Sequence, residues 1–469
     1  MKNSENTLSS FHFVGVGGIG MSALAAGAAA CGYRVSGSDR GAEKVENAPL
    51  INALKASGVT VTAQDGSRFA AGYDLPDALV YSTAIEEDNP DFLASGDIPR
   101  LHRSEFLRLL LDKFDRTSIA VTGSCGKSSV TAYITETLER LGGDPVMISG
   151  ALSKRYRSAE NAGNFRAGKG DYLVFEADES DKSLLAYGAD YAVILNLGTD
   201  HYDKEELTRV FAGFLRNIRK GAVISRQVAE ALQYDFPGTL DVRIFDDAPG
   251  QGEKRYTLAE YRPGSVPQAC FADGALLALP ASGRHVALNA LAIRALAEML
   301  GFEDAGVLAA LSEFDGVWRR NDYAGKTPAG AKVYDDYAHN PEKIISCLSG
   351  MRESVPGRVF AVFQPHGYKP FGFMADELFE QLEKFLRHED RFILLEPFYA
   401  GGSSSFSPHA DEVAAKWRSL SADPGRFLVM PDRETLKTSL LADAGNGDVI
   451  VIMGARDNSL SLFAAALAL

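Results

Sequence analysis

A chain of 469 residues is long for a single hydrophobic core, and this length predicts about three domains. A hydrophobic content of 46% and a charged content of 23% are typical of a globular protein. The net charge of −14 disfavours nucleic acid and anionic membranes as partners, because both attract positively charged proteins. The polar N-terminus lacks the pattern of a signal peptide, and the four cysteines lack paired spacing. We therefore expect a cytoplasmic protein, monomeric or homodimeric, that binds neither nucleic acid nor membrane.

The first element is an apolar strand that runs into a G-x-G-x-x-G loop and an alanine-rich helix. The loop spans residues 15–20, and a second strand ends at Asp39. This pattern places a diphosphate at the helix N-terminus and an acid near a ribose. It fits a dinucleotide and a UDP-sugar equally well, and it also occurs where a strand only packs tightly on a helix. The predicted ligand-binding residues are Gly17, Gly18, Ile19, Gly20 and Asp39.

Three further strand patterns follow, at residues 58–61, 78–82 and 98–101. Helical patterns lie between them, as in a doubly wound parallel sheet. This first domain is predicted to end near Lys113.

Residues 118–129 (SIAVTGSCGKSS) predict a strand, a phosphate loop and a helix. Gly123 and Gly126 leave the backbone N–H groups open to a polyphosphate, while Lys127 adds a positive charge and the following serines a hydroxyl for Mg²⁺. The usual Walker motif needs a glycine where this chain has Val121, so a shorter loop is predicted. The alternative is an ordinary turn with a surface lysine. The candidate nucleotide-binding residues are Thr122, Gly123, Ser124, Cys125, Gly126, Lys127, Ser128 and Ser129.

Acidic residues follow the next strands of this second unit. Residues 172–175 precede Glu176 and three more acids, Asp178, Glu179 and Asp181, and a later strand precedes His201. Because the carboxyl ends of parallel strands converge, these side chains are expected to face the phosphate loop. One carboxylate, a loop hydroxyl and ATP oxygens suffice for Mg²⁺, and Glu176 is the first choice. The other acids fit a solvated turn equally well, and a lone histidine is often structural.

The stretch between residues 223 and 279 is rich in turns and predicts antiparallel strands that cover one side of the sheet. A long helix then runs to Leu300. Asn289 near its start is either an adenine ligand or a helix cap.

A third unit begins near Phe314. Adjacent arginines, Arg319 and Arg320, precede a strand, and the next strand pattern ends in Asp335, Asp336 and His339. Later apolar strands, at residues 358–363, 392–395 and 448–453, predict another α/β sheet with crossover helices.

These motifs resemble the Mur ligase family along essentially the whole chain, most closely its members that attach L-alanine or, in recycling, a tripeptide. The motifs that carry the resemblance are GVGGIGMSALA (15–25), SGSD (36–39), YSTAI (81–85), GSCGKSS (123–129), EADESD (176–181), DHYD (200–203) and DDYAHNP (335–341). The resemblance implies an α/β, three-domain architecture. It comprises a Rossmann-like UDP-sugar-binding domain (1–113), a central P-loop ATPase domain (114–313) and a Rossmann-like C-terminal domain that binds the amino acid (314–469).

The resemblance also implies a reaction. An ATP- and Mg²⁺-dependent ligase would join an amino acid, in first place L-alanine, to the carboxylate of UDP-N-acetylmuramic acid through an acyl phosphate, in peptidoglycan precursor synthesis. The alternative within this class is a tripeptide or another amine as acceptor, in cell-wall recycling. Two alternatives from other classes are a dehydrogenase and a nucleotide-binding regulator derived from a ligase.

Roles for single residues follow from the same resemblance. It assigns the metals to Ser128, Glu176 and His201, and the catalytic set comprises Lys127, Glu176, His201, Arg320 and His339. It assigns adenine to Asn289, the γ-phosphate to Arg320 and the ribose to Asp336. It assigns the substrates to Ser82, Thr83, His366 and Lys369.

The segment that matches the family's amino-acid-binding motif, residues 364–370 (QPHGYKP), is called the acceptor segment here, and it departs from the family pattern. Gly367 and Pro370 stand where the L-alanine-adding members have two arginines, and Lys369 is the cation that the segment retains. One lysine does not reproduce a bidentate arginine clamp. Cys125, at a helix N-terminus beside Lys127, is either a small residue that fits the loop or an oxidisable thiol.

Overall fold

The computed structural model describes residues 8–70, 72–179, 183–198, 204–247, 256–399 and 406–468. The chain forms two compact units. The first comprises Met1–Glu260, Ala269–Pro280 and Ala287–Val317, and the second comprises Tyr261–Gln268, Ala281–Val286 and Trp318–Leu469. Within the described ranges, no helix combines the length and the apolar character needed to cross a bilayer.

The first sheet has five parallel strands in the order β3-β2-β1-β4-β5. Its strands are β1 (Ser10–Val14), β2 (Arg34–Ser38), β3 (Thr60–Thr62), β4 (Ala78–Tyr81) and β5 (Arg100–His102). Its helices are α1 (Ile19–Ala30), α2 (Ala48–Ala56), α3 (Pro90–Ala94) and α4 (Arg103–Phe114). All five residues of β1 are buried, as expected for a central strand covered on both faces. The predicted doubly wound parallel sheet is confirmed.

The second sheet has seven strands in the order β12-β11-β10-β6-β9-β7-β8. They are β6 (Thr117–Thr122), β7 (Val146–Ile148), β8 (Phe165–Arg166), β9 (Tyr172–Glu176), β10 (Ala189–Ile194), β11 (Ile218–Ser225) and β12 (Asp241–Phe245). All pairs are parallel except β7 with β8. The accompanying helices are α5 (Lys127–Arg140), α6 (Lys204–Leu215), α7 (Arg226–Ala231), α8 (Arg284–Met299) and α9 (Asp304–Ser312).

The prediction of antiparallel strands from residue 223 onward is wrong in its first part. Strand β12 pairs in parallel with β11 and forms an edge of the second sheet. The short helix α7 makes the crossover that a parallel pair requires, and the turn-rich sequence concealed it. Only β13 (Leu258–Arg262), β14 (Gln268–Phe271) and β15 (Leu276–Ala278) form a separate three-stranded sheet.

The third sheet lies in the second unit and has the order β16-β17-β21-β18-β19-β20. Its strands are β16 (Asp322–Lys326), β17 (Lys332–Asp336), β18 (Val359–Phe363), β19 (Arg391–Leu394), β20 (Phe427–Val429) and β21 (Val449–Met453). Only β16 is antiparallel to its neighbour. The helices are α10 (Pro341–Ser354), α11 (Tyr368–Phe385), α12 (Ala410–Leu420), α13 (Arg433–Asp443) and α14 (Ser459–Leu467). Apolar clusters on both faces bury the central strands β18 and β21 completely.

The first, second and third sheets each fall within one of the three predicted ranges, while the boundaries at residues 113 and 313 stay predictions. Most of the predicted site residues lie at or just after the carboxyl ends of strands, where loops of parallel sheets converge, whereas Asn289 lies on α8 and Arg320 precedes β16.

Candidate active site

The phosphate loop joins β6 directly to α5 over residues 123–126. Gly123 and Gly126 both have positive φ angles, +137° and +88°, that favour glycine. A side chain at Gly123 would also lie 3.1 Å from the backbone nitrogen of Asn196. Both glycines are therefore required by the path of this short loop.

Lys127 is the first residue of α5, and its side chain turns back toward the loop. Its Nζ lies 2.7 Å from Oε2 of the buried Glu179 and donates to the Gly123 carbonyl at 2.9 Å. Burial disfavours the ammonium, but the carboxylates of Glu179, Asp178 and Glu176 outweigh it and raise the pKa of Lys127. The lysine therefore remains protonated at neutral pH.

Glu176 ends strand β9 beside the loop, because β9 pairs with β6 and Glu176 stands opposite Val121. One oxygen of its carboxylate accepts a hydrogen bond from the Gly150 N–H at 2.9 Å. Ser128 is buried in the first turn of α5. A carboxylate and a hydroxyl are hard oxygen ligands and fit Mg²⁺. His201 and Asp181, the other predicted candidates, lie outside the described residues.

Asn289, on α8, lies beside the phosphate loop. A side-chain atom built at Gly126 would lie 3.8 Å from both amide atoms of Asn289. The asparagine is thus positioned within the first unit at the base of the loop.

The loop after β1 forms the second group of predicted residues. The N–H groups of Gly15 and Val16 donate to the Ser38 carbonyl at 2.8 and 2.9 Å. The Asp39 carboxylate accepts from the Gly17 N–H at 2.9 Å and from the Gly41 N–H at 2.7 Å. The Asp39 side chain thus hydrogen-bonds directly to the glycine loop.

The strand order around this loop explains which residues accompany it. Strand β1 lies between β2 and β4, so the loops after all three strands converge. Ser82 and Thr83 follow β4, and Asp39 follows β2. The structure therefore brings the predicted residues of the first sheet to one edge.

A cleft lies in the first unit. It is lined by residues of the first sheet's helices and of the second sheet, among them Gly20, Leu24, Arg103, Ile148, Glu176 and Tyr187. Arg103 Nη2 lies 2.6 Å from Oδ2 of Asp178. The cleft thus connects the first glycine loop with Glu176.

The adjacent arginines of the second unit have different environments. Arg319 is buried, and its Nε lies 3.2 Å from Oδ1 of Asp335. Arg320 is partly exposed, with its guanidinium 5.0 Å from the ring centre of Tyr337. Asp336 is buried and accepts from the backbone N–H groups of Asn321 and Ala338 at 2.6 and 2.8 Å.

Two histidines lie together in the second unit. The rings of His339 and His366 are nearly perpendicular, with centres 5.1 Å apart. Burial, reinforced by the charge of Lys343, lowers the pKa of His339 to about 3. Burial, then Arg456 and Lys343, lower the pKa of His366 to about 4. Both rings are therefore neutral at pH 7. The Nδ1 of His339 lies 2.8 Å from the Tyr337 carbonyl, which places the proton there and leaves the Nε2 lone pair available.

The acceptor segment follows β18 and opens α11. Gly367 has a φ of +127°, and Pro370 lies in the first turn of the helix. Lys369 is exposed, and its Nζ lies 5.9 Å from the ring centre of the exposed Phe373. The one cation of this segment therefore lies on an exposed part of α11.

Comparison with known proteins places this site in a family. Three family models match in order along the chain: the Mur ligase family catalytic domain (10–115), the Mur ligase middle domain (121–297) and the Mur ligase glutamate ligase domain (319–456). A UDP-N-acetylmuramate–L-alanine ligase from Bradyrhizobium sp. is 31% identical over 466 residues, which cover 95% of this chain and 94% of that protein. The chain belongs to the Mur ligase family.

Solved structures agree with this assignment. The UDP-N-acetylmuramate–alanine ligase of Thermotoga maritima matches with a TM-score of 0.77 and 25% identity, over 97% of this chain and 98% of that one. A murein peptide ligase from Psychrobacter arcticus shares the fold, with a TM-score of 0.69 and 22% identity over 98% of both chains. The three-domain α/β architecture is confirmed. The chain is an ATP-dependent ligase, so the dehydrogenase alternative is wrong.

Sequence reasoning did not identify two residues that the structure places at the candidate site. The Asn196 side chain accepts from the Cys125 N–H at 2.8 Å and donates to the Cys125 carbonyl at 2.9 Å. It thereby fixes the phosphate loop from the end of β10, the neighbour of β6. Arg103, the second, opens α4 and enters the cleft. In both cases the available signal was a polar residue just beyond a strand's carboxyl end.

Proposed function

We propose that this ligase joins an amino acid, in first place L-alanine, to the carboxylate of UDP-N-acetylmuramic acid in peptidoglycan precursor synthesis. ATP would be cleaved to ADP and phosphate. The observation that carries the proposal is the cleft that Gly20 and Glu176 share, because Gly20 belongs to the predicted UDP-sugar loop and Glu176 borders the phosphate loop. A substrate carboxylate in this cleft would lie close to the phosphate that it must attack.

The first step makes the carboxylate a better acyl donor. A carboxylate oxygen attacks the γ-phosphorus, the bond to the ADP oxygen breaks, and an acyl phosphate forms. Lys127 is protonated and buried, so it is suited to neutralise charge on the transferring group. Two Mg²⁺ ions, when bound, would add further charge neutralisation, the first held by Ser128 and Glu176 and the second by His201. Asn289 would contact adenine, as its place beside the loop suggests.

The second step forms the amide. The acceptor amine attacks the acyl carbon, the carbon–oxygen bond to phosphate breaks, and the amine nitrogen loses a proton. His339 is neutral with its Nε2 lone pair available, so it is suited to accept that proton. Arg320 would bind the γ-phosphate and Asp336 the ribose. His366 and Lys369 would contact the amino acid.

Further parts of the proposal concern the whole protein. We expect domains at 1–113, 114–313 and 314–469, of which the first binds the UDP-sugar through Gly17, Gly18, Ile19, Gly20, Asp39, Ser82 and Thr83. A cytoplasmic monomer or homodimer, without nucleic-acid or membrane partners, fits the composition.

A second candidate acceptor is a tripeptide or another amine, as in cell-wall recycling. Gly367 and Pro370 favour it, because neither can form the arginine contacts expected for L-alanine. The reaction class is the same in both cases.

The test is phosphate release by the purified protein with Mg-ATP and UDP-N-acetylmuramic acid. Acceptors are single amino acids and the tripeptide L-alanyl-γ-D-glutamyl-diaminopimelate. We expect release only when both the UDP-sugar acid and an amine are present. Lys127→Met should lower the rate at least roughly 100-fold, because the variant lacks the buried positive charge that would stabilise the transferred phosphate.

Lys55→Met is the matched control, because Lys55 is exposed on α2 and its loss should leave the rate unchanged. Turnover with the tripeptide alone would favour recycling. Tight binding of ATP and UDP-sugar without turnover for any acceptor would contradict the proposal and favour a regulator derived from a ligase.

A further inference from the structure

Three loops of the second unit begin side by side at the carboxyl edge of the third sheet. Strand β21 pairs in parallel with β17 on one side and with β18 on the other. His339 follows β17, His366 follows β18, and Arg456 follows β21. The middle loop therefore carries Arg456 to the edge where the two histidines meet.

Arg456 has a backbone conformation that favours glycine. Its φ is +65°, and the two loop ends around it are held by the buried Arg319. Arg319 donates to the Gly454 carbonyl at 2.7 Å and to the Asp457 carbonyl at 3.0 Å. For a residue other than glycine, a positive φ strains the backbone, and strained residues of this kind cluster at functional positions. The observation points to a role for the Arg456 side chain.

The guanidinium of Arg456 is exposed and pairs with no carboxylate among the described residues. The nearby acids are engaged elsewhere. Asp457 lies 2.5 Å from a guanidinium nitrogen of Arg433, and Asp335 lies 3.2 Å from Arg319. The charge of Arg456 is thus available to a ligand.

The surroundings of His366 carry positive charge. Its Nδ1 is buried and has no hydrogen-bond partner in the described part of the chain. Arg456 and Lys343 both act on its ring electrostatically and add to the effect of burial in lowering its pKa. The Lys369 side chain lies toward Phe373 instead, with its Nζ 5.9 Å from the ring centre. An anion is the ligand that such a region attracts.

We infer that Arg456 binds the carboxylate of the amine acceptor and takes the place of the arginines absent at Gly367 and Pro370. This inference rests on the proposed amide ligation. A guanidinium binds a carboxylate through two parallel hydrogen bonds, which fixes the direction of the amine. The acceptor class is therefore an amino acid or peptide whose carboxylate lies within reach of its reacting amine.

The experiment compares wild-type protein with Arg456→Gly and Arg456→Lys. Glycine suits the positive φ, so the first variant should fold. Calorimetric binding of L-alanine, of the tripeptide and of L-alaninamide to the full-length protein is the primary measurement. Affinity for the carboxylate-bearing acceptor should fall roughly 10- to 100-fold in Arg456→Gly, and its amide should bind equally weakly to both proteins. The KM for ATP should not change.

Arg387→Ala, at an exposed position after α11, is the matched control for loss of an arginine. Lys369→Met tests the rival cation. Equal affinities in wild type and Arg456→Gly would overturn the inference, as would failure of both L-alanine and the tripeptide to bind the wild type, or a loss seen only in Lys369→Met. Absence of phosphate release from wild type would instead overturn the proposed function, while the binding comparison would still decide the role of Arg456.

Discussion

Single residues of this ligase owe their chemistry to burial and to neighbouring charges. Lys127 stays charged because three carboxylates surround it, whereas His339 and His366 are neutral because burial and nearby cations oppose their protonation. Burial therefore leaves Lys127 charged and both histidine rings neutral, because the charges beside them have opposite signs.

The neutral histidines predict a pH dependence of stability. Their folded pKa values, about 3 and about 4, lie below the unfolded value near 6.5, so the unfolded chain binds more protons in acid. Their contribution to stability is fully present above about pH 6.5 and is lost as the pH falls toward 4. Between pH 7.5 and pH 5.0, the melting temperature should fall less in a His339→Gln, His366→Gln double variant than in the wild type. An equal decrease in both proteins would contradict this assignment.

At the scale of elements, the phosphate loop depends on its neighbours in the sheet. The segment after β10 supplies Asn196, whose side chain hydrogen-bonds the backbone of Cys125, and Gly198, whose N–H donates to Ser124 Oγ at 2.8 Å. The loop is therefore fixed from outside as well as by its own glycines.

Gly123→Ala should reduce ATP-dependent turnover strongly. The new side chain would meet Asn196 and Leu195 at about 3.1 Å, in addition to the strain of the positive φ. A stability loss of about 1–3 kcal/mol is expected, together with a raised KM for ATP. Gly142→Ala is the control, because Gly142 also has a positive φ but nothing lies within 4 Å of the added atom. If both variants had the same KM for ATP, the loop would accommodate a side chain at Gly123, and the prediction would be wrong.

At the scale of the whole molecule, helix α5 links the phosphate loop to the end of the first unit. The buried Glu136 accepts from Ser153 Oγ and from the Asp315 N–H, both at 3.0 Å, and Arg140 donates to Glu136 Oε2 at 3.2 Å. Arg140 also bonds the Glu313 carbonyl. The segment at 313–315 is thus held to the helix that Lys127 opens.

Glu136→Ala should destabilise the first unit by about 3 kcal/mol or more, because three buried or half-buried donors lose their acceptor. Glu136→Gln should cost less, since its amide oxygen still accepts. Thermal unfolding of both variants measures the difference. Similar melting temperatures for Glu136→Ala and wild type would show that the network contributes little.

The sequence by itself determined the elements whose signals are local. A glycine loop between an apolar strand and a helix, or an acid directly after a strand, can be recognised within a dozen residues. For this reason the first parallel sheet, the strand, loop and helix at residues 117–140, and the place of Glu176 at the end of β9 were predicted correctly. The six-residue helix α7 is too short to show a clear helical period, so the parallel strand β12 was predicted to be antiparallel.

Only the tertiary structure decided which distant segments share an edge. Asn196 reaches Cys125 because β10 lies beside β6, and Arg456 joins the histidines because β21 lies between β17 and β18. Sheet order does not follow chain order, and no local pattern encodes it. Burial is likewise a property of the assembled fold, which is why the protonation states of Lys127 and the two histidines emerged only from packing.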